Sequence, residues 1–211
     1  MNHKQFEILE QQTVYDGFFR LDRFSLKHTL YRGGWSPALN RELFRRNNCV
    51  AVLLYDPIRD EVVLVEQFRM GALANPDRAW LLEIVAGAIE TGETAEQVAY
   101  REAQEEAGCT VLEMQEIMQF YTTPGGSSER ITLFYGRVDS TALGGIHGLP
   151  DEDEDIHVST LPFEDAFRLV ENGQIDSGIP IIALQWLYIH RAKLRNDLKS
   201  VASGCEPGQC R

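Results

Sequence analysis

The sequence predicts a layered α/β fold of the α+β kind, with a mixed sheet held between helices. Three observations predict it. Short apolar runs rich in Val, Ile and Leu come first, a single well-capped helix follows, and further strands lead into two late helical patterns. The chain has 211 residues and is 44% hydrophobic, enough for one substantial core.

Each element has a local cause. Residues 18–30 alternate in places and predict a strand. The apolar run CVAVLLY at 49–55 predicts a buried strand, and Asp56-Pro57 starts the turn after it. Residues 61–69 return as its hairpin partner, and 80–85 form a short strand leading into a glycine-bearing loop. A helix follows: Thr94 caps it, Gln97 completes a capping-box variant, and Gly108 suits its end. Strands are predicted at 111–121 and 130–138, flanking the loop Thr122-Thr123-Pro124-Gly125-Gly126-Ser127, and at 156–161. Pro162 fits the first position of a helix ending at Gly173, and 179–196 carry a long apolar helix pattern. The late stretch IPIIALQWLYIH is apolar around much of its circumference, which fits deep burial or an interface. Residues 1–45 read as a small β unit, 46–198 as the main domain and 199–211 as a flexible polar tail.

Composition excludes several functions. The net charge of −12 argues against general nucleic-acid binding. No run reaches 18 apolar residues and the first residues lack an apolar signal core, so no membrane partner is expected and the cytoplasm is the default location. Cys49 and Cys109 fall in apolar segments and Cys205 and Cys210 in the polar tail; with no C-x-x-C spacing, structural zinc is not expected. An acidic protein that takes an anionic substrate needs cations at its site.

The stretch GAIETGETAEQVAYREAQEEAGC, Gly87 to Cys109, is where such a cation belongs. Glu102, Glu105 and Glu106 lie within one helical turn, and Glu102 and Glu106 share a face with Ala95, Val98 and Ala99. Two carboxylates about 6 Å apart repel by roughly 3 kcal/mol at an effective dielectric of 20. Residues 94–107 offer no Lys and one Arg to relieve that. A hard cation among the oxygens would, and Mg²⁺ is the natural one. A solvated acidic helix is the alternative.

The spacing Gly87, five residues, Glu93, seven residues, Arg101-Glu102-Ala103-Gln104-Glu105-Glu106-Ala107-Gly108 matches all seven fixed positions of the Nudix box. At about 7% per fixed residue, chance gives roughly one match in 10⁸ starting positions. The chain thus resembles the Nudix hydrolases, with Cys109 standing where that family usually has an aliphatic residue. The likeness extends through YDGFFRLD, LYRGG, NRELFRR, VLVEQFRM, WLLEIVAG, TTPGGSSER and GIHGLPDEDEDI to ALQWL, and Pro124 lies 15 residues past Cys109. It points to the bacterial dimeric ADP-ribose pyrophosphatase branch. That resemblance implies a Nudix-type α/β/α sandwich with a loop–helix–loop catalytic motif. It also implies hydrolysis of ADP-ribose to AMP and ribose 5-phosphate, and a homodimer with shared active sites in which residues 1–45 make contacts. Another nucleoside diphosphate sugar such as GDP-mannose, or binding without cleavage, are the alternatives. The second is weakened because Glu93, Glu102, Glu105 and Glu106 are all present.

The resemblance also implies roles. Glu102, Glu106 and the Ala86 carbonyl would hold Mg²⁺ (or Mn²⁺), with more than one ion per site, while Glu93 and Glu105 brace Arg101. In the run Asp151-Glu152-Asp153-Glu154-Asp155, Glu152 would be the general base and Glu154 a further metal ligand. Read alone, that run is a solvated loop, or a calcium loop whose spacing fails at Ile156 and Pro162. Phe18 and Phe19 would stack on adenine, with core packing as the other reading. Arg41, Arg46 and Arg69 would meet phosphate or ribose, as Arg pairs bidentately with phosphate, although surface arginines are often merely solvated. Glu42 and Glu129 would accept ribose hydroxyls, and Ala88 and the Thr123-Pro124-Gly125 turn would lie along the ligand.

Overall fold

The computed structural model describes residues 4–202 of the chain, with side chains described as far as Leu198. Of the expected tail, Cys205, Cys210 and their neighbours lie outside the described residues. The chain forms two compact units. One gathers the chain up to Asn48 with Phe120–Ile131; the other gathers Cys49–Gln119 with the chain from Thr132 onward.

In the first unit, β1 (Phe6–Asp16), β2 (Arg20–His28) and β3 (Leu39–Arg45) make an antiparallel sheet in that order. Only β2 falls within a predicted strand. β1 is exposed along its whole length, so it lacks the in–out alternation from which strands are read. β2 buries Asp22, whose carboxylate takes hydrogen bonds from Arg20 (2.8 Å), Arg45 (2.9 Å), Thr13 (2.9 Å) and Gln11 (3.0 Å). The Arg20 guanidinium beside it holds Asp22 well below the usual carboxylate range. All three strands are joined through this one charge.

The second unit is built on β4 (Cys49–Asp56) and β5 (Glu61–Phe68), the predicted hairpin. The predicted strand at 80–85 breaks at Ile84 into β6 (Trp80–Glu83), which pairs with β5, and β7 (Val85–Ala88), which pairs with β4. With β8 (Glu113–Tyr121), β9 (Arg130–Arg137), β10 (Gly145–His147) and β11 (Ile156–Pro162), the sheet runs β10-β11-β5-β4-β9-β8. β4 lies inside that order and its residues from Val50 to Asp56 are all buried, which is why it reads as an unbroken apolar run.

Helix α1 (Ala95–Ala107) packs Val98, Ala99 and Ala103 onto Val50, Val52, Val63, Val65 and Val85. Helix α2 (Phe163–Glu171) starts one residue later than predicted. Pro162 is its N-cap, with extended ψ of 140°, and is not its first helical residue. Helix α3 (Gly178–Ala202) extends beyond both predicted ends and buries Ala183, Leu184 and Leu187. Tyr55, next in β4 parity after Leu53, faces α3. Its hydroxyl donates to Asp60 (2.6 Å), which also accepts from Arg191 (2.7 Å) and Arg195 (2.6 Å) of α3. Helices thus cover both faces of the sheet, as expected for the α/β sandwich.

Candidate active site

Helix α1 is fixed at both ends by the residues that predicted it. Thr94 Oγ1 accepts from the Gln97 N–H (3.2 Å), and Gln97 Oε1 accepts from the Thr94 N–H (2.9 Å). Gly108 closes the helix at φ 60°, a conformation that favours glycine. Capping by Thr94 is worth about 1 kcal/mol.

The helix presents Glu102 and Glu106 inward, one turn apart, and both are buried. Glu106 Oε2 accepts the Ala86 N–H of β7 at 2.9 Å. Ala86 thus meets the pair through its N–H, while its carbonyl is the atom that the resemblance implies as a metal ligand. Glu102 lies flat on Gly87, and a β-carbon there would fall inside the Glu102 carboxylate. Burial pushes Glu102 up to about 7, although Arg101 pulls it back. Burial pushes Glu106 up to about 8, opposed by the Ala86 N–H and reinforced by the charges of Glu102 and Glu154. Two carboxyls held this way accept protons or a cation readily.

Arg101 is held between loop and helix. It donates to Glu93 Oε1 (3.2 Å) and Glu105 Oε2 (2.8 Å), the two braces the sequence suggested, and also lies 2.9 Å from Glu102. Glu93 in turn accepts the Glu90 N–H at 3.2 Å, which ties the glycine-bearing loop to α1.

The acidic loop is fastened to the same helix. The Gly148 N–H donates to the Glu105 carbonyl (3.2 Å), and the His147 ring lies against Gly108, where any side chain would collide with it. His147 carries no role in the sequence reading; the structure gives it a packing one. A short turn, Pro150–Glu152, leaves Glu152 exposed, while Glu154 Oε2 accepts the Leu149 N–H at 3.1 Å. The charge of Glu154 reaches Glu102 and Glu106. Glu154 is thus partly engaged with its own loop.

Arg69 follows β5, and its charge also acts on Glu106. Its Nε donates to Glu83 Oε2 at 2.6 Å. Ala88 ends β7 opposite Cys49. Two neighbours went unread in the sequence. Glu83 is one. The other is Gln67, whose Nε2 is the buried side-chain nitrogen or oxygen without a partner among the described residues. The β5–β6 register places Gln67 and Glu83 on one strand face with Val65, which packs against α1, and that pairing is not written in the sequence.

The remaining residues lie in the first unit. Phe18 is 95% exposed and meets Phe19 edge-on at 4.7 Å, so the core-packing alternative does not hold for it. Phe19 packs on Phe44 (4.8 Å), with the Arg46 guanidinium 5.1 Å from its ring centre. Arg46 pairs with Glu129 at 2.9 Å, and Glu129 also accepts from Thr122 at 2.9 Å. Arg41 donates to the Asn40 carbonyl (2.8 Å) and Glu42 pairs with Arg23 (3.3 Å), both exposed. Thr123 starts the turn through Pro124 and Gly125, its carbonyl accepting from Gly126 (3.1 Å) and Ser127 (3.0 Å). A cleft of about 530 Å³ is lined by Asp16, Phe18, Arg20, Arg45, Arg46 and Ser128.

Among the described residues no three His, Cys, Asp or Glu side chains form a ready-made metal cage. The donor set still suits a hard divalent cation. Two buried carboxyls whose burial favours a proton or a cation beside them are the kind of protein share such an ion would use.

The NUDIX domain family matches residues 45–180. The chain is 47% identical over 191 residues to the ADP-ribose pyrophosphatase of Escherichia coli (strain K12), covering 90% of this chain and 91% of that protein. It is 45% identical over 201 residues to the ADP-ribose pyrophosphatase of Haemophilus influenzae, covering 94% and 93%. To the GDP-mannose pyrophosphatase of Enterobacter sp. it is 33% identical over 189 residues, covering 87% and 95%. A crystal structure described as an ADP compounds hydrolase superposes with a TM-score of 0.67 at 21% identity, covering 90% of this chain and 97% of that one, and is similar in fold.

Proposed function

The chain belongs to the NUDIX family, and from that premise we propose that it hydrolyses the pyrophosphate bond of ADP-ribose to give AMP and ribose 5-phosphate. The observation that carries the chemistry is the buried Glu102–Glu106 pair closed against Ala86 and Gly87 of β7. The substrate follows from the two relatives at 47% and 45% identity, both ADP-ribose pyrophosphatases.

Glu102 and Glu106 would hold Mg²⁺, or Mn²⁺ in its place, with the Ala86 carbonyl and Glu154 completing a site for more than one ion. A cation held there would supply neutralisation of the diphosphate oxygens, which would make phosphorus easier to attack. The chain's own residues do the rest. Arg101, gripped by Glu93 and Glu105, keeps loop and helix in register so the two carboxylates stay aimed. Arg69 offers a guanidinium to phosphate. Glu152 accepts the proton of the attacking water, and its exposure on a short turn leaves it free to approach when substrate is in place. The exposed Phe18 with Phe19 supplies an aromatic surface for adenine, and Arg46 a cation. The enzyme acts as a homodimer with shared active sites, in the cytoplasm. No helix among the described residues is long and apolar enough to cross a membrane.

The test is turnover of a panel of nucleoside diphosphate sugars with Mg²⁺ in ¹⁸O water. ADP-ribose is cut fastest, and Glu152→Gln lowers kcat at least about 100-fold with the fold retained. Faster cleavage of GDP-mannose would transfer the function to the second class of relative. A near-normal Glu152→Gln rate would remove Glu152 as the base.

A further inference from the structure

Arg69 has an unusually determined position for a half-exposed arginine. Its N–H donates to the Ala79 carbonyl at 2.7 Å, extending the β5–β6 pairing by one residue. Its Nε is committed to Glu83 Oε2 at 2.6 Å. Glu83 is largely buried, its side chain 14% exposed against 41% for Arg69. Its other oxygen is also engaged, accepting from Ser177 Oγ at 3.3 Å. The segment between is tied down separately, since Arg78 donates to the carbonyls of Gly173 (2.6 Å) and Gln174 (3.1 Å) and lies 3.1 Å from Asp176.

This arrangement divides the labour of one guanidinium. An arginine that grips phosphate needs its terminal Nη atoms aimed at the ligand, and a long side chain loses much rotamer freedom in doing so. A carboxylate that captures Nε leaves the Nη edge for an anion and meets that entropy cost before substrate arrives. Glu83 stands three residues before Ala86, in the strand that leads into the Glu102–Glu106 pair, so the same backbone that carries Ala86 to Glu106 carries the anchor of Arg69.

We infer that Glu83, held by Ser177, is a positioning residue that orients Arg69 toward the diphosphate of the substrate. The inference rests on the reading of Arg69 as a phosphate-binding group. It is tested by a double-mutant cycle on the full chain with Glu83→Ala, Arg69→Ala and the pair. Two quantities are read: kcat and KM for ADP-ribose with Mg²⁺, and Kd for ADP-ribose by calorimetry without metal. Glu83→Ala raises KM and Kd about tenfold with kcat changed less than about threefold. In the Arg69→Ala background it has no further effect. Glu83→Gln, which keeps an oxygen acceptor for Nε and disturbs the fold least, falls between wild type and Glu83→Ala. Unchanged KM and Kd in Glu83→Ala and Glu83→Gln, or independent losses that multiply in the pair, would overturn the inference while leaving the activity intact. Absence of both turnover and binding in the wild type would overturn the functional reading and this inference with it.

Discussion

Gly87 is needed for the space above its Cα, which the Glu102 carboxylate fills. Gly87→Ala must therefore displace Glu102, and it is expected to lower kcat at least about 100-fold and raise the Mg²⁺ needed for half activity, with circular dichroism unchanged. Retained activity would show that Glu102 has another place to go. Glu106→Gln keeps an acceptor for the Ala86 N–H but removes the charge, so it weakens the dependence on Mg²⁺; unchanged Mg²⁺ affinity would end its assignment as a ligand. At this scale the sequence was informative where residue type and spacing together define chemistry, as for Glu93, Arg101, Glu102, Glu105 and Glu106. It was silent on Glu83 and Gln67, because a glutamate in WLLEIVAG or a glutamine in VLVEQFRM looks like any strand polar residue until register puts it beside Arg69.

Helix α1 carries two acidic side chains, Glu102 and Glu106, on its buried face, and that has a consequence for stability. Glu102 and Glu106 bind protons in the folded chain up to about 7 and about 8, whereas unfolded they release them near the ordinary glutamate value of about 4.3. The folded state holds more protons across that interval, so stability contributed by the neutral pair is present below about pH 4.3 and is lost as pH rises through 7 to 8. Without divalent cation, Tm is expected to fall between pH 5 and 9 more steeply in the wild type than in the Glu102→Gln/Glu106→Gln variant, and Mg²⁺ is expected to restore it in the wild type alone. Equal slopes in calorimetry with and without the two carboxylates would contradict this. A second element, α3, depends on Asp60 in the β4–β5 turn. Burial raises the Asp60 carboxyl, but hydrogen bonds from Arg191 and Tyr55 outweigh it and hold it below the usual range. Asp60→Ala leaves Arg191 and Arg195 without this partner and is expected to cost about 3 kcal/mol in denaturant unfolding. A cost under 0.5 kcal/mol would show a merely decorative ion pair.

Across the whole molecule, the elements read from the sequence were β2, β4, β5, β8, β9, β11, α1, α2 and most of α3, and burial makes the pattern plainest in β4, β5 and α1. Within the β unit read at 1–45, β1 and β3 were not singled out because neither shows a regular in–out alternation, and β10 was not because three residues are too few to show any period. The exposure of β1 bears on assembly. β1 leaves Phe6 72% and Ile8 48% exposed on one face of its sheet, apolar side chains that a second copy of the chain would cover. Sedimentation is expected to show a dimer that Phe6→Glu/Ile8→Glu dissociates, whereas a wild-type monomer would remove the proposed shared sites. The most direct test of the account is a crystal soaked with Mn²⁺ and a non-cleavable ADP-ribose mimic, examined by anomalous diffraction. Metal density is expected within about 2.3 Å of carboxylate oxygens of both Glu102 and Glu106, bridging to the diphosphate. A diphosphate bound with its metal elsewhere, and those two side chains turned away, would contradict it.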